Sequence, residues 1–157
     1  NFQMKDALQL VPTSEMFVHK RRAEYDAILV GRNTEELEHP RLTVREWNGK
    51  NPQKIVLSST YKNNGFVDEV LYVNSLQQLI ETINQRNNTE QKICSLIVEG
   101  GAHTLQSFID AGLWDEIRIE TAPFTISNGI AAPHLPNNID IVKKEFYGNT
   151  IVTYKRL

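Results

Sequence analysis

An acidic residue followed by two glycines marks the stretch LIVEGGAHTLQSFI, Leu96 to Ile109. The apolar residues before Glu99 predict a buried strand, and the spacing after Gly101 predicts a helix. A helix that begins at a strand end presents free N–H groups and the positive end of its dipole, which suit a phosphate that glycine lets approach closely. Glu99 can accept from a hydroxyl, an amine or a ring N–H. The residues alone leave a tight turn without a ligand equally open.

Two arginines lie in segments that can reach the same region. The segment NTEELEHPRLTVR follows a predicted strand end at Gly31 and contains the Thr34 hydroxyl and the Arg45 guanidinium. The segment VHKRRAE places Arg22 near the end of a predicted helix. Guanidinium groups bind phosphate or carboxylate with two parallel hydrogen bonds. Two arginines in one cleft would suit a phosphomonoester, although each segment alone is compatible with a solvated surface.

Alternating strands and helices are expected to position these residues. The pattern predicts an α/β fold with a mostly parallel sheet and a C-terminal antiparallel hairpin around Gly148-Asn149. Ser75 is expected to cap a helix. We predict strands at 27–30, 54–57, 70–73, 93–98, 114–120, 139–147 and 150–154, and helices at about 13–24, 76–86 and 104–111. Between them we expect a loop with at most one helical turn at 33–40, a short extended piece at 42–44 and a long loop at 123–138. Residues 1–13 show little pattern.

Composition bounds the class of protein. The chain has 157 residues, which suits a single domain over 1–157, and a formal net charge of −2, which disfavours nucleic-acid or membrane-surface binding. Its one cysteine, Cys94, excludes an intrachain disulfide and a cysteine-based zinc site, and we predict a buried, inert thiol and no metal. No apolar run has the length of a membrane span and no leader opens the sequence, so we expect a cytoplasmic protein.

Three segments together resemble one family. VHKRRAEYDAILVGRNT, HPRLTVR and LIVEGGAHTLQSFIDAGLWDEI look like the reductase domain of the bacterial bifunctional riboflavin biosynthesis protein RibD, over roughly Ser14 to Leu157. The resemblance implies a dihydrofolate reductase-like fold with helices on both faces of the sheet. It also implies NADPH as cofactor, reduction of the ribose of 5-amino-6-(5-phosphoribosylamino)uracil to a ribityl chain, and a homodimer. The hairpin residues Ile139, Ile141, Ile151 and Val152 are compatible with a dimer or with ordinary core.

The resemblance also implies roles for particular residues. Glu99 matches an acid that faces the substrate, which makes it the candidate catalytic residue. Arg22, Leu42 and Arg45 match positions that contact the phosphorylated substrate. The positions that match cofactor contacts are Thr34, Glu38, Ser59, Gly101, Ala102, His103, Thr104, Leu105, Gln106 and Ser107.

The chain departs from the family pattern at several places. Glu38-His39-Pro40 replaces an aspartate-asparagine-proline or aspartate-aspartate-proline, and Ser58 stands where an aspartate is frequent. The family's domain normally opens with a central strand that carries a lysine, followed by a serine-x-aspartate-glycine loop, and nothing in NFQMKDALQLVP matches them. We therefore predict that this first strand is missing. One cysteine cannot form the zinc site of a deaminase, so we also expect no deaminase domain.

Two other functions fit the same residues. A reductase of the same fold acting on a pterin would have no phosphate for the arginines to bind. A non-catalytic nucleotide-binding module would explain the missing strand. The sequence also leaves NADPH and NADH both open, because no residue that grips a 2′-phosphate is evident.

Overall fold

The computed structural model describes residues 2–5, 19–38, 42–44, 49–61 and 65–157, and for residues 2–5 and 38 it describes the backbone alone. The strands in these residues form one mixed sheet. The strands are β1 (Phe2–Lys5), β2 (Ala27–Gly31), β3 (Gln53–Leu57), β4 (Gly65–Val67), β5 (Val70–Val73), β6 (Leu96–Gly100), β7 (Glu116–Thr121), β8 (Ile139–Phe146) and β9 (Thr150–Arg156). The helices are α1 (residues 19–24), α2 (Arg32–Glu38), α3 (Leu76–Gln85) and α4 (Ala102–Asp110).

The order of the strands is β4-β5-β3-β2-β6-β1-β7-β9-β8. The six strands β5, β3, β2, β6, β1 and β7 are parallel to one another. β4 pairs antiparallel with β5 at one edge, and β9 pairs antiparallel with β7 and with β8 at the other. The predicted fold class, a mostly parallel sheet with a C-terminal antiparallel hairpin, is therefore confirmed.

Two clusters of buried side chains cover the two faces of the sheet. Successive residues of a strand point to opposite faces, so Leu29 belongs to one cluster and Ile28 to the other. The first cluster includes Leu79 of α3 and Phe108 of α4. On the second face, Tyr25 after α1 packs against the cluster, and Lys54 of β3 forms an ion pair of 2.6 Å with Glu35 of α2. Helices therefore lie on both faces, as predicted.

Local signals explain the best predicted elements. Val70–Val73 is a strand as expected, and the Ser75 hydroxyl accepts from the backbone N–H of Gln78 at 3.1 Å, which caps α3. The strands near 27–30, 54–57 and 114–120 and the loop at 123–138 are also confirmed, with shifts of one or two residues at the ends.

Two predictions between β2 and β3 were wrong. Residues 33–40 were expected to form a loop with at most one helical turn, but α2 spans Arg32–Glu38, which is about two turns; residues 39–40 lie outside the described residues. This helix has almost no apolar pattern, and its half-buried Glu35 forms an ion pair of 2.6 Å with Lys54 of the neighbouring strand β3. Residues 42–44 form no strand, and Leu42, with a φ of +55°, lies outside the extended region.

Other differences concern strand ends and exposure. β6 begins at Leu96 rather than Ile93 and continues through Gly100, and Cys94 before it is exposed rather than buried. α4 begins at Ala102 rather than Thr104. Phe146 pairs with Thr150, so the hairpin has a three-residue loop instead of two residues.

Two strands had no sequence prediction. β4 has three residues, and β1 lies between β6 and β7 in a segment too short for a pattern. β1 is a parallel strand in the interior of the sheet and ends at Lys5, so the prediction that residues 1–12 contain no central strand with a lysine is wrong. Of the four hairpin residues named above, Ile151 is buried and Ile141 is exposed on the edge strand β8.

The described residues contain neither a membrane-spanning helix nor a cluster of metal ligands. No helix among them has the length and apolar character needed to cross a membrane. The same residues bring together no group of three His, Cys, Asp or Glu side chains that could bind a metal.

Candidate active site

Glu99 is the extra residue of a β-bulge at the carboxyl end of β6. Leu29 pairs with Val98 and Val30 pairs with Gly100, so the register shifts and Glu99 has no partner on β2. A bulge adds one unpaired residue and redirects its side chain. The acid is thus presented by a distortion at the end of an otherwise regular parallel strand.

Arg22 of α1 holds this acid. Its Nη2 donates to Glu99 Oε2 at 2.9 Å, and its Nη1 donates to the Thr43 carbonyl at 3.3 Å. The side chains of Arg22 and Glu99 are only 11% and 4% exposed. Arg22 Nε and Glu99 Oε1 are buried and have no hydrogen-bond partner among the described residues. Buried polar atoms are usually paired, so Oε1 marks a place where a ligand donor would be accommodated.

The glycine hinge, Gly100-Gly101 between β6 and α4, lies beside this pair. A side chain at Gly100 would come within 3.1 Å of both Thr34 and Val30, and Gly101 has a φ of +75°, which favours glycine. No side chain caps the start of α4, where the first helical bond runs from Leu105 N–H to the Gly101 carbonyl at 3.0 Å. The N–H groups of its first turn are therefore not occupied by a cap, and the bare glycine backbone fits a cofactor phosphate.

The glycine hinge follows one of two neighbouring strands, β2 and β6, whose connecting helices lead to strands on opposite sides of them. β2 continues through α2 to β3 on one side, whereas β6 continues through α4 to β7 on the other side, and β2 and β6 are neighbours. A crevice at the carboxyl ends of such strands is the usual ligand site of open α/β sheets. Thr104 closes over the end of β2, because a side chain at Gly31 would overlap its hydroxyl.

The predicted cofactor positions divide by environment. Thr34 and Thr104 lie at the hinge, Ala102 and His103 form the first turn of α4, and Ser59 is exposed just beyond the carboxyl end of β3. The other three side chains of α4 make contacts within the protein: Leu105 lies in the core, Gln106 accepts from His134 N–H at 2.7 Å, and the Ser107 hydroxyl donates to the Thr104 carbonyl at 2.6 Å. These three side chains are therefore engaged in contacts within the protein.

The predicted substrate positions are brought together in part. Leu42 is buried beside Val30 and Ile97, and Thr43 contacts Arg22. Arg45 and the side chain of Glu38 lie outside the described residues. The pairing of Arg22 with Glu99 was missed, because no sequence pattern relates residues 77 positions apart.

Arg118 is a second buried cation that the sequence analysis missed. It follows Ile117 on β7, so it points to the face opposite the first cluster, and it is buried. Burial lowers the pKa of Arg118, the nearby charge of Arg21 lowers it further, and Glu145 opposes both effects. Alternating charged and apolar residues in this strand were the available signal.

Known proteins resemble this chain over most of its length. A family model described as the RibD C-terminal domain matches residues 8–148. The riboflavin biosynthesis protein RibD of Corynebacterium ammoniagenes is 27% identical over 137 residues, which cover 76% of this chain and 38% of that protein. This chain therefore spans well under half the length of its curated relative.

Solved structures share the fold. The deaminase/5-amino-6-(5-phosphoribosylamino)uracil reductase of Thermotoga maritima matches with a TM-score of 0.75 at 20% identity, covering 99% of this chain and 56% of that chain. The riboflavin biosynthesis reductase Rib7 of Saccharomyces cerevisiae matches with a TM-score of 0.68 at 16% identity, covering 99% and 88%. Since the family model covers most of the sequence, the resemblance is confirmed and this chain belongs to the RibD C-terminal domain family.

Proposed function

We propose that this protein reduces the ribose of 5-amino-6-(5-phosphoribosylamino)uracil to the ribitylamino product with NADPH. The observation that carries the proposal is the buried carboxylate of Glu99, of which one oxygen is held by Arg22 and the other has no partner among the described residues. Family membership supports the same reaction, because the Thermotoga relative is a 5-amino-6-(5-phosphoribosylamino)uracil reductase and the yeast relative is a riboflavin biosynthesis reductase.

The chain's own residues bind and orient in this proposal. The backbone of Gly101 and the first turn of α4 hold the cofactor phosphate, with Thr34 and Thr104 beside them. When bound, NADPH would supply a hydride to C1 of the opened, protonated imine of the substrate. The nitrogen keeps the proton it had in the ribosylamine and the ring oxygen takes one proton from solvent, so one NADPH and one proton are consumed. Glu99 Oε1 accepts from an N–H or O–H of the substrate, which fixes C1 relative to the cofactor.

The substrate phosphate is assigned to Arg45, whose guanidinium suits a phosphomonoester. Remote binding of this phosphate would supply energy for orienting the reacting carbon. Glu38 and Ser59 complete the proposed cofactor contacts, and Leu42 forms an apolar wall of the substrate site. A cytoplasmic homodimer, with the exposed edge of β8 available for the contact, is part of the same proposal.

Glu99→Gln tests the central residue. Arg22 only donates, so the carbonyl oxygen of the introduced amide must face Arg22, and the amide nitrogen must take the place of Oε1. An acceptor then becomes a donor. We expect kcat/KM for the pyrimidine substrate to fall at least tenfold while the dissociation constant for NADPH stays within twofold. Unchanged kcat/KM would contradict the assigned role of Glu99.

Arg45→Ala tests the phosphate assignment and the alternative substrate. We expect KM for the phosphorylated substrate to rise with little effect on NADPH affinity, measured by fluorescence titration. The dephosphorylated substrate should be insensitive to the change. Equal turnover of a pterin and of the phosphorylated pyrimidine would favour the pterin reductase instead, and turnover of neither would favour a nucleotide-binding module.

A further inference from the structure

One peptide group stands between the Arg22–Glu99 pair and the loop that follows it. The Thr43 carbonyl accepts from Arg22 Nη1 at 3.3 Å, and the N–H of the next residue, Val44, donates to Asn51 Oδ1 at 2.9 Å. The carbonyl and the N–H belong to the same planar unit and point in opposite directions. Asn51 therefore sets the plane in which the carbonyl meets Arg22.

The two flanks of this peptide are anchored. Leu42 is buried among Ile28, Val30, Val56 and Ile97. Its φ of +55° is rare for a residue with a side chain and persists only where surrounding contacts enforce it. The peptide 43–44 thus leaves the core in an unusual direction that the next contact must maintain.

Gly49 brings the other end of the loop to the same helix. A side chain there would come within 2.5 Å of Ala23 Cβ, the residue next to Arg22 in α1. Pro52, after Asn51, is buried at the start of β3. Asn51 itself is exposed, but its two flanks place it between the helix that carries Arg22 and the sheet, where its Oδ1 accepts from Val44 N–H.

We propose that Asn51 is a positioning residue for the reaction: it holds the peptide 43–44, which holds Arg22, which orients Glu99 towards the substrate. Asn51 acts on Arg22 through the Thr43–Val44 peptide. Hydrogen bonds to both ends of one peptide polarise each other, so losing the first weakens the second. The inference rests on the proposed function of Glu99.

The first experiment compares Asn51→Ala with Asn51→Asp. Alanine removes the acceptor and should lower kcat/KM for the pyrimidine substrate by about three- to tenfold, the effect of one lost hydrogen bond. Aspartate keeps an acceptor oxygen and should stay near the unsubstituted protein. The dissociation constant for NADPH should not change in either variant. Asn88→Ala, in an exposed turn, is the matched control and should leave kcat/KM unchanged.

The second experiment separates positioning from stability. In an Arg22→Met background, Asn51→Ala should cause no further loss of kcat/KM, because the path through Arg22 is already broken. If Asn51→Ala lowers kcat/KM by the same factor in the Arg22→Met background as in the unsubstituted protein, the two residues act independently and the proposal is overturned. If Asn51→Ala does not fold, Asn51→Gln keeps the amide but moves its oxygen by one methylene, and it should show the same loss as expected for alanine.

A third readout does not need activity. The Val44 amide should exchange with solvent at least tenfold faster in Asn51→Ala than in the unsubstituted protein and in Asn51→Asp, measured by NMR. Equal exchange rates in all three proteins would overturn the positioning role, even if the reaction is as proposed. Absence of pyrimidine reduction by the unsubstituted protein, with the expected exchange pattern, would overturn only the proposed function.

Discussion

Removal of either partner of the Arg22–Glu99 pair should strongly destabilise the fold. The two side chains are 11% and 4% exposed, so the remaining charge would be buried without its counter-ion. Breaking a buried pair from one side costs about 3–5 kcal/mol. The lower end applies to Glu99→Met, because Arg22 keeps its bond to the Thr43 carbonyl. The upper end applies to Arg22→Met, because Glu99 then has no partner among the described residues. We expect Glu99→Met to lower the free energy of unfolding by about 3 kcal/mol and Arg22→Met by about 5 kcal/mol.

The double variant distinguishes the pair from its surroundings. With both charges gone, neither is left uncompensated, so Arg22→Met/Glu99→Met should lose about 2 kcal/mol less than the sum of the single changes. Guanidinium unfolding of the four proteins, followed by circular dichroism, measures this coupling.

An exposed pair in the same chain provides the control. Arg32 and Glu36 are closer, at 2.6 Å, but their side chains are 43% and 52% exposed. Water solvates both charges, so we expect no resolvable coupling there. If burial rather than distance decides the coupling, the longer pair must be the stronger one. A coupling for Arg22–Glu99 no larger than that of Arg32–Glu36 would refute the reasoning.

Three further outcomes are expected. Gly101→Val should lower NADPH affinity at least tenfold in a fluorescence titration, since a branched side chain disfavours the φ of +75°, and unchanged affinity would remove the cofactor from the hinge. Gly31→Ala should lower Tm because its side chain overlaps the Thr104 hydroxyl, and Thr104→Ala should restore part of the loss; no recovery would contradict the overlap. Burial alone would raise the pKa of Glu145, but hydrogen bonds from Tyr147 and Lys143 hold it below its ordinary value of 4.5. A carboxylate with a lowered pKa stabilises the fold above its unfolded pKa and loses this effect as pH falls through the folded value, so Glu145→Gln should show a smaller drop in Tm between pH 7 and pH 3 than the unsubstituted protein.

The sequence contained enough information for the regular part of the fold. Buried parallel strands appear as uninterrupted apolar runs, which is why Ala27–Gly31 and Val70–Val73 were found almost to the residue. The capping hydroxyl of Ser75 and the helical spacing after it located α3 in the same way. These signals are local, and the contacts that stabilise the elements agree with them.

Features of the site that depend on distant partners could not be predicted. The bulge at Glu99 depends on the register between β2 and β6, and the sequence of one strand does not determine how it pairs with its neighbour. α2 has a single apolar residue, Leu37, which is exposed, so no apolar periodicity marks it, and the contact between Glu35 and Lys54 is visible only in the structure. The sequence therefore located the glycine hinge and its acid but not the residue that holds the acid.

The position of Arg22 changes how a phosphorylated substrate can bind. From the sequence, Arg22 and Arg45 were expected to share the phosphate, but Arg22 forms a buried pair with Glu99 that is neutral as a unit. Turning Arg22 towards a phosphate would leave the Glu99 carboxylate buried without a counter-charge, which costs about 3 kcal/mol or more. A phosphate bound at Arg22 would therefore compete with the orientation of the acid that the reaction needs. Assigning the phosphate to Arg45 and the orientation of Glu99 to Arg22 removes this conflict, because each arginine then has one anionic partner.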